Sequence, residues 1–352
     1  MNILYIGHYR ENNGLGYSSR RVISSLQNIP DTNLSIRPLF LQNSNLYTSE
    51  EIKKLEYIKY DNYDVVIQHT LPDFLEFNRH FGKNIAITEI ETKNLSHTGW
   101  IEKLNMMDMV WVGSYFSKLS LTESGIRVPV VVVPEPYNRS INFKSDQNNT
   151  FKFYTIGNFT DKKNIENILM AFFLEFNKQD DVELILKIKN IKEKYINKLI
   201  NQIYKILRIS PNNRHVPVII NEELNNEHMD NLHRSCDCYL DLARGSSNGS
   251  CSIEAMLHGN IAISTDNIGS VSYVNKNNGF IVDSRLIKVK SQPQYGIDNI
   301  YTVHESWYDP DMDAMRSAMR QASELSLSDI NSKLKAFNTN ILTNNNIKRN
   351  LL

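Results

Sequence analysis

Three stretches of the sequence bring together glycine, serine, lysine and a carboxylate in the manner of anion-binding loops. Gly14 and Gly16 precede a segment with helical periodicity. Lys162 and Lys163 follow a strand-like run, and a Gly/Ser-rich stretch leads to Glu254. Glycines allow a backbone to approach a ligand closely, and the first amides of a helix attract anions. These stretches therefore suggest binding of a phosphorylated ligand.

Simpler explanations exist for the first two stretches. Gly14 and Gly16 could serve a turn alone, because Ser19 stands where a dinucleotide-binding fingerprint has its third glycine. Lys162 and Lys163 oppose the dipole of the helix that follows them. Either a bound anion or ordinary solvation of the two charges would explain why two lysines occur at this position.

The third stretch is also open to two interpretations. We expect a helix at 253–258, with Glu254 on its first turn. The helix after Gly16 is expected at 17–26. On a first turn the carboxylate could favour the helix dipole by ~0.3–1 kcal/mol. It could instead accept both hydroxyls of a ribose, as acidic residues do in nucleotide sites. The spacing alone leaves both possibilities open.

Short apolar strands alternate with amphipathic helices along the whole chain, which predicts parallel α/β domains. The strands are rich in valine and isoleucine with little alternation, so helices should cover both faces of each sheet. The predicted strands are 3–6, 34–39, 65–67, 85–88, 109–112 and 130–133, then 151–156, 184–188, 216–220, 238–240, 261–264 and 279–282.

We predict two doubly wound domains in tandem, at 1–136 and 151–330. A polar, proline-punctuated linker at 137–150 joins them, and the tail at 331–352 is expected to form a helix that returns to the first domain. Such sheets bind ligands at the carboxyl ends of their strands. Two facing domains therefore predict an interdomain cleft.

Composition excludes several classes of protein. The 352 residues are 41% hydrophobic and 22% charged, which is typical of a globular chain and not of a disordered or coiled-coil one. Lys+Arg and Asp+Glu are equal at 39 each, so no net field favours nucleic acid. No apolar run approaches the roughly 20 residues of a membrane span, and the N-terminus lacks the basic region of a signal peptide. We expect a cytoplasmic protein.

In their order along the chain, these stretches resemble the retaining GT-B glycosyltransferases of the "glycosyl transferases group 1" family. In that family Arg-Gly-Glu-Gly-x-Gly, four further residues and Glu-Ala-Met-x-x-Gly lie at the second-domain active site. The matching residues here are Arg244, Gly245, Gly249, Glu254, Ala255, Met256 and Gly259. Further matches to the family or to one of its subgroups are Gly14, Gly16, Glu91, Thr92, Trp100, Asp108, Trp111, Ser114, Phe116, Gly157, Lys162, Lys163, Asn164, Trp307, Pro310, Asp311, Met319 and Arg320.

The resemblance implies a GT-B fold, which is α/β with two Rossmann-like doubly wound domains facing across a deep cleft. It implies a hexosyltransferase that takes a UDP- or GDP-sugar as co-substrate and transfers the sugar to an acceptor hydroxyl with retained anomeric configuration. Neither a metal nor a further cofactor is expected. The acceptor, whether a glycan or a lipid-linked or protein-linked group, is left open.

The resemblance also implies roles for individual residues. Glu254 would hold the ribose, while Lys163 and the amides from Gly14 to Gly16 would hold the diphosphate. Loops near 187–190 and 219–224 would recognise the base. The full set of expected nucleotide-sugar-binding residues is Gly14, Gly16, Asn158, Lys163, Arg244, Ser246, Ser247, Gly249 and Glu254. The expected catalytic residues are Glu91, His69 and Lys163.

Three positions depart from the family. Ser246 replaces the first glutamate of its pair, Asn158 replaces an arginine, and Glu91 stands where the family has a histidine. The first two suggest a rival function, a scaffold or binding protein that has lost catalysis. A nucleotide-sugar epimerase or a phosphorylase of similar fold is a third possibility. A lone histidine at a strand end is more often structural than functional, so a structural role for His69 is the alternative.

A pattern of the form Asp-x-Asp occurs at Asp309 and Asp311, with Asp313 two residues further on. Metal-dependent sugar transferases of another fold use such a pattern. Here it directly precedes a helix, and helix capping explains it better. We expect no metal at this position.

Overall fold

The computed structural model describes residues 1–41, 47, 49–95, 99–146, 149–189, 191–290 and 300–351. The chain forms two compact units. The first comprises Met1–Asn138, Lys288–Ser306 and Asn340–Leu352, and the second comprises Arg139–Ile287 and Trp307–Thr339. The chain thus enters the second unit after Asn138, inside the stretch predicted as a linker.

The first unit is built on a six-stranded parallel sheet with strand order β2-β1-β3-β4-β5-β6. Burial on both faces is clearest in β3, where every residue is buried, whereas β1 alternates between buried and partly buried residues. The strands are β1 (Asn2–Gly7), β2 (Asn33–Pro38), β3 (Val65–His69), β4 (Lys83–Ile87), β5 (Met109–Val112) and β6 (Val130–Val132). The helices between them are α1 (Gly14–Gln27), α2 (Glu50–Tyr57), α3 (Trp100–Asn105) and α4 (Tyr115–Glu123), with a 3-10 turn at Pro72–Phe74.

The second unit repeats this design with strand order β12-β11-β10-β7-β8-β9. Its strands are β7 (Phe151–Asn158), β8 (Val182–Lys189), β9 (Val218–Ile220), β10 (Cys238–Asp241), β11 (Ile261–Thr265) and β12 (Phe280–Val282). Its helices are α5 (Ile165–Glu175), α6 (Glu193–Leu207), α7 (Asn226–Ser235), α8 (Ser250–Leu257), α9 (Met312–Ser323) and α10 (Leu327–Lys335). The 3-10 turns are Asp161–Lys163, Pro211–Asn213 and Gly269–Ser272, and β13 (Ser284–Lys288) pairs with β14 (Ser306–Pro310).

The prediction of two Rossmann-like doubly wound domains is confirmed. Two predicted helix starts are wrong by three residues. Helix α1 begins at Gly14 and not at 17, because the side chain of Asn13 caps it by accepting from the Gly16 amide. Helix α8 begins at Ser250 and not at 253. The first shift places Gly14 and Gly16 inside a helix, and the second moves Glu254 off the first turn of its helix.

The end of the chain belongs to the first unit. A 3-10 turn at Thr339–Leu342 leads to α11 (Asn345–Leu351). Ile347 and Leu351 are buried in the same core as Ile23 of α1. Among the described helices, none combines the length and the apolar character that a membrane span requires.

Asp311 caps α9, which confirms the capping interpretation of the Asp-x-Asp pattern. Its carboxylate accepts a hydrogen bond of 2.9 Å from the Ala314 amide. Asp313 lies in the first turn of the same helix, is exposed and pairs with Arg316. Within the described residues, no three His, Cys, Asp or Glu side chains gather closely enough to hold a metal ion.

We predict that Asp311→Ala lowers the free energy of unfolding by about 0.5–2 kcal/mol, the usual cost of losing an N-cap. Asp313→Ala, the matched control, should change stability by no more than about 0.5 kcal/mol because the side chain is exposed. Urea denaturation of both variants measures the two values. Equal losses would contradict the assignment of Asp311 as the cap.

Candidate active site

The lysine turn of the second unit follows the carboxyl end of β7. Thr160 caps the turn Asp161–Lys163, and Asn164 then adopts a left-handed conformation with φ of 58°. The stem of Lys163 lies over Gly157, where an added Cβ would come within 2.9 Å of the lysine Cε. Gly157 therefore provides the space that lets Lys163 fold back across the strand end.

The ammonium of Lys163 lies close to the first turn of α8. Its charge acts on Cys251, the second residue of that helix: burial raises the pKa of the Cys251 thiol to about 11, and Lys163 opposes the rise. A lysine and a helix N-terminus thus place two positive elements near one point. Asn158, at the end of β7, is exposed nearby in sequence, and its predicted ligand contact stays a prediction.

Arg244 holds the lysine turn against the Gly/Ser loop. Its guanidinium donates from Nη1 to Asp161 Oδ1 and from Nε to Asp309 Oδ1, both at 2.6 Å. Its backbone amide donates to the Lys162 carbonyl at 2.7 Å. Two carboxylates therefore balance the Arg244 charge, and the residue acts in this structure as a tie between loops. Its predicted contact with the donor stays a prediction.

The Gly/Ser loop from Gly245 to Gly249 is held in one shape by backbone contacts. Gly249 has a φ of 65°, and a Cβ there would lie 2.6 Å from the Ser270 Cα. The Gly269 amide donates to the Ser246 carbonyl at 2.7 Å. The Ser246 hydroxyl accepts from the Gly249 amide at 3.3 Å, so this side chain closes the loop on itself.

Ser247 is buried in the same loop, with 4% of its surface exposed. The predicted contacts of Ser246 and Ser247 with a donor sugar remain predictions. The hydrogen bond from the Gly249 amide gives the Ser246 hydroxyl a local role that the sequence did not indicate.

Glu254 lies inside α8 and not on its first turn, since the helix begins at Ser250. The simpler explanation, a carboxylate that favours the helix dipole, is therefore wrong, because that effect is confined to the first turn. His233 Nε2 lies 3.8 Å from Glu254 Oε2, with side-chain exposures of 1% for the histidine and 26% for the glutamate. The carboxylate is thus half-buried beside a buried imidazole.

His233 belongs to a buried polar network. Its Nδ1 is hydrogen-bonded to the Tyr154 hydroxyl at 2.6 Å, and Asn260 donates to the same hydroxyl at 3.0 Å. His258 stacks on His233 with ring centroids 4.8 Å apart. Burial, together with the neighbouring His233 and Arg139, lowers the pKa of His258. These contacts fix the position of the His233 ring, which lies beside the Glu254 carboxylate.

The first unit places Gly14 and Gly16 differently from the sequence prediction. Both lie in the first turn of α1, and the Gly16 amide already donates to Asn13 at 3.0 Å. A Cβ on Gly16 would lie 1.8 Å from the Glu11 carbonyl oxygen, whereas one on Gly14 would meet nothing within 4 Å. Gly16 is therefore required for packing, and of the two only the Gly14 amide is available to a ligand.

His69 ends β3, one strand from the start of α1 in the sheet. Its Nδ1 is hydrogen-bonded to the Tyr5 hydroxyl at 2.8 Å, and among the described residues its Nε2 has no hydrogen-bond partner. Burial and the neighbouring His8 lower the pKa of His69 to about 3. His69 is therefore neutral at pH 7 and can hydrogen-bond but cannot supply a positive charge.

Glu91 follows β4 and is 9% exposed. Its backbone amide donates to the Tyr301 hydroxyl at 3.3 Å, and the Tyr301 ring packs edge-to-face on Trp100 with centroids 5.8 Å apart. The sequence analysis missed Tyr301, because 210 residues separate it from Glu91. Nothing local in the sequence signals such a contact.

The predicted site residues thus form two groups. Lys163, Arg244, Ser246, Gly249 and Glu254 lie at the loops and helix that follow β7 and β10 of the second unit. Gly14, His69 and Glu91 follow β1, β3 and β4 of the first unit. Both groups lie at carboxyl ends of parallel strands, where doubly wound sheets bind their ligands.

No protein-family model and no curated protein sequence matches the chain. Solved structures do match it. HepE of Anabaena, determined in complex with UDP and glucose, has a TM-score of 0.58 at 13% identity, with 100% of this chain and 99% of HepE covered. An alpha,alpha-trehalose-phosphate synthase (UDP-forming) from Burkholderia xenovorans has a TM-score of 0.62 at 9% identity, with 100% of both chains covered.

TarM of S. aureus is a third similar structure, with a TM-score of 0.56 at 12% identity. The match covers 82% of this chain, which spans only 54% of TarM. At sequence identities of 9%, 12% and 13%, the similarity to these structures shows a shared fold alone. The chain has the fold of GT-B glycosyltransferases, built from two Rossmann-like domains.

We predict that Gly16→Ala lowers the free energy of unfolding by about 1–3 kcal/mol, because the added methyl group overlaps the Glu11 carbonyl and forces the backbone apart. Gly14→Ala, the matched control two residues away, should leave stability unchanged or slightly raised, since alanine favours a helix. Thermal and urea unfolding measure both. A tolerated Gly16→Ala would contradict the packing role of this glycine.

Proposed function

We propose that this chain is a glycosyltransferase that moves a hexose from a UDP- or GDP-sugar to an acceptor hydroxyl, with retained anomeric configuration and without a metal ion. One observation carries the proposal. In the second unit, the ion pairs of Arg244 hold the lysine turn beside the Gly/Ser loop, and this loop opens directly into the helix that bears Glu254. Cation, helix N-terminus and carboxylate are the groups that a nucleoside diphosphate requires.

The diphosphate would be held by Lys163 and the first amides of α8. Negative charge grows on the diphosphate as the glycosidic bond breaks, so a fixed ammonium stabilises the transition state more than the ground state. The Gly14 amide at the start of α1 is a further donor of this kind. No resident cofactor takes part in this proposal.

The ribose would be held by Glu254. A carboxylate can accept from two neighbouring hydroxyls, and His233 restricts its position from the buried side. Asn158 stands where the family has an arginine, so Lys163 would be the main cation for the diphosphate.

Acceptor chemistry is assigned to Glu91 and His69 of the first unit. The Glu91 carboxylate would accept a proton or a hydrogen bond from the acceptor hydroxyl, or stabilise positive charge at the anomeric carbon. His69, being neutral, would orient a hydroxyl by hydrogen bonding. The acceptor would be a glycan or a lipid-linked or protein-linked group.

Incubation with labelled UDP-, GDP- and ADP-hexoses tests the proposal. Release of nucleoside diphosphate that requires an acceptor supports transfer, and NMR of the product reports the anomeric configuration. Activity that survives a chelator supports the absence of a metal. Binding without release under all these conditions would favour the rival scaffold function, and a changed sugar without transfer would favour an epimerase.

We predict that Lys163→Ala lowers kcat more than it weakens donor binding, because the charge that Lys163 neutralises develops mainly in the transition state. The control is Lys162→Ala, which keeps the backbone carbonyl that Arg244 contacts and removes a neighbouring charge. Steady-state kinetics with the preferred donor separate kcat from KM. If Lys162→Ala is the more damaging change, the assignment of Lys163 fails.

We predict that Glu254→Gln weakens nucleoside diphosphate binding about 10- to 100-fold, the effect of losing about 1.5–3 kcal/mol of charge-assisted hydrogen bonding. The fold should survive, since the shape of the side chain is kept. Glu166→Gln, an exposed carboxylate of α5, is the control. Isothermal titration calorimetry measures the affinities, and an unchanged value for Glu254→Gln would remove the ribose role.

A further inference from the structure

One ring nitrogen of His233 is buried beside Glu254 and has no hydrogen-bond partner among the described residues. His233 lies in the last turn of α7, and its side chain is 1% exposed. Its Nε2 is the unpartnered atom, and Glu254 Oε2 is 3.8 Å away from it. Leaving a buried polar atom unsatisfied costs free energy, so this nitrogen needs a specific explanation.

Asn260 fixes the direction of the hydrogen bonds on the other side of the histidine. Its Nδ2 lies 2.7 Å from the His233 carbonyl oxygen and 3.0 Å from the Tyr154 hydroxyl. A carbonyl oxygen only accepts, so the part of the Asn260 amide that faces it is the NH2 group and not the oxygen. The two hydrogens of that group are donated to the His233 carbonyl and to the Tyr154 oxygen.

The Tyr154 hydroxyl consequently decides the tautomer of His233. Its oxygen accepts from Asn260, and burial raises the pKa of Tyr154, so the hydroxyl keeps its proton. Tyr154 donates that proton to Nδ1 of His233, at 2.6 Å. An imidazole that accepts at Nδ1 is neutral and carries its own proton on Nε2. The unpartnered nitrogen beside Glu254 is therefore a hydrogen-bond donor.

A short movement of Glu254 would bring its carboxylate within reach of this donor. The separation of 3.8 Å between Nε2 and Oε2 exceeds the usual N–H···O distance by about 1 Å. His233 is held by Tyr154 and by His258, which stacks on its ring. The glutamate side chain is 26% exposed, so it is the partner that can move. Contacts of this kind often tighten only when a substrate is bound.

We propose that His233 is the positioning residue for Glu254. When a nucleotide binds, Nε2–H of His233 donates to one carboxylate oxygen and turns the carboxylate so that both ribose hydroxyls can donate to it. A carboxylate has about four acceptor sites on its two oxygens, so one hydrogen bond from His233 leaves room for two hydroxyls. This inference rests on the proposed function and adds the residue that orients Glu254.

Two substitutions separate the roles of the two ring nitrogens. In His233→Asn the amide lies near the position of Nδ1, so the contact with Tyr154 is kept while the donor to Glu254 is lost. In His233→Gln the amide lies near the position of Nε2, so a donor to Glu254 is kept while the contact with Tyr154 is lost. His228→Asn, which changes an exposed histidine of the same helix, is the matched control.

Calorimetry with UDP and GDP measures the effect on binding. For the nucleotide that binds more tightly, we expect His233→Asn to weaken binding about 10-fold, the value of one hydrogen bond to a charged group. His233→Gln and His228→Asn should weaken it by less than about threefold. The 2′-deoxy form of the same nucleotide offers Glu254 one hydroxyl fewer, so His233→Asn should weaken its binding by about threefold or less. A merely structural role predicts that His233→Gln is the more damaging change.

The tautomer has a readout that needs no ligand. In protein labelled with 15N in its histidine rings, the NMR shifts of the two ring nitrogens show which one carries the proton. Either His233 variant identifies the His233 signals by their loss. We expect the wild-type ring to be protonated at Nε2 alone, and a proton on Nδ1, or on both nitrogens, overturns the inference.

The binding results are equally decisive. Unchanged affinity in His233→Asn, or a larger loss in His233→Gln, overturns the inference. Equal weakening of the ribose nucleotide and of its 2′-deoxy form overturns it as well, since His233 would then act on the whole site and not through Glu254. If the wild-type protein binds neither UDP nor GDP, the proposed function itself fails, which is a different result from binding that is insensitive to His233.

Discussion

The contacts of Arg244 with two carboxylates are the interaction on which the second-unit site depends. Asp161 belongs to the lysine turn after β7, and Asp309 belongs to β14, yet one guanidinium holds both at 2.6 Å. All three side chains are mostly buried, so removing Arg244 would leave two carboxylates without this cation, and a buried charge that loses its partner typically costs about 3–5 kcal/mol. The ion pairs of Arg244 therefore hold the turn that carries Lys163, although Lys163 itself takes no part in them.

Buried polar groups in this unit fall into two kinds. His233 shows both kinds: its Nδ1 is hydrogen-bonded to the Tyr154 hydroxyl, whereas its Nε2 lies 3.8 Å from Glu254 Oε2 and has no hydrogen-bond partner among the described residues. A group that is satisfied internally stabilises the fold and fixes its neighbours, whereas one that is not satisfied is maintained at a cost in stability.

In the first unit, the two glycines of one motif, Gly14 and Gly16, have different structural roles. Gly16 allows α1 to approach the Glu11 carbonyl, and Gly14 borders open space at the helix start. The pKa of His69 is low because the ring is buried, which limits this residue to hydrogen bonding at pH 7. Tyr301 supports the Glu91 backbone from a part of the chain that is far away in sequence.

The sequence by itself determined the fold class and indicated the loops that we propose bind the donor. Alternating apolar strands and amphipathic helices predicted both doubly wound domains, because a strand buried on two faces is an unbroken apolar run and a helix buried on one face is periodic, and both patterns are local in the chain. Tertiary structure alone decided what the side chains of those loops contact. Arg244 is tied to Asp309, a partner 65 residues away, and Glu254 lies inside a helix that starts earlier than its periodicity suggests. Such contacts depend on which strand ends become neighbours in the sheet, and local periodicity carries no record of that order.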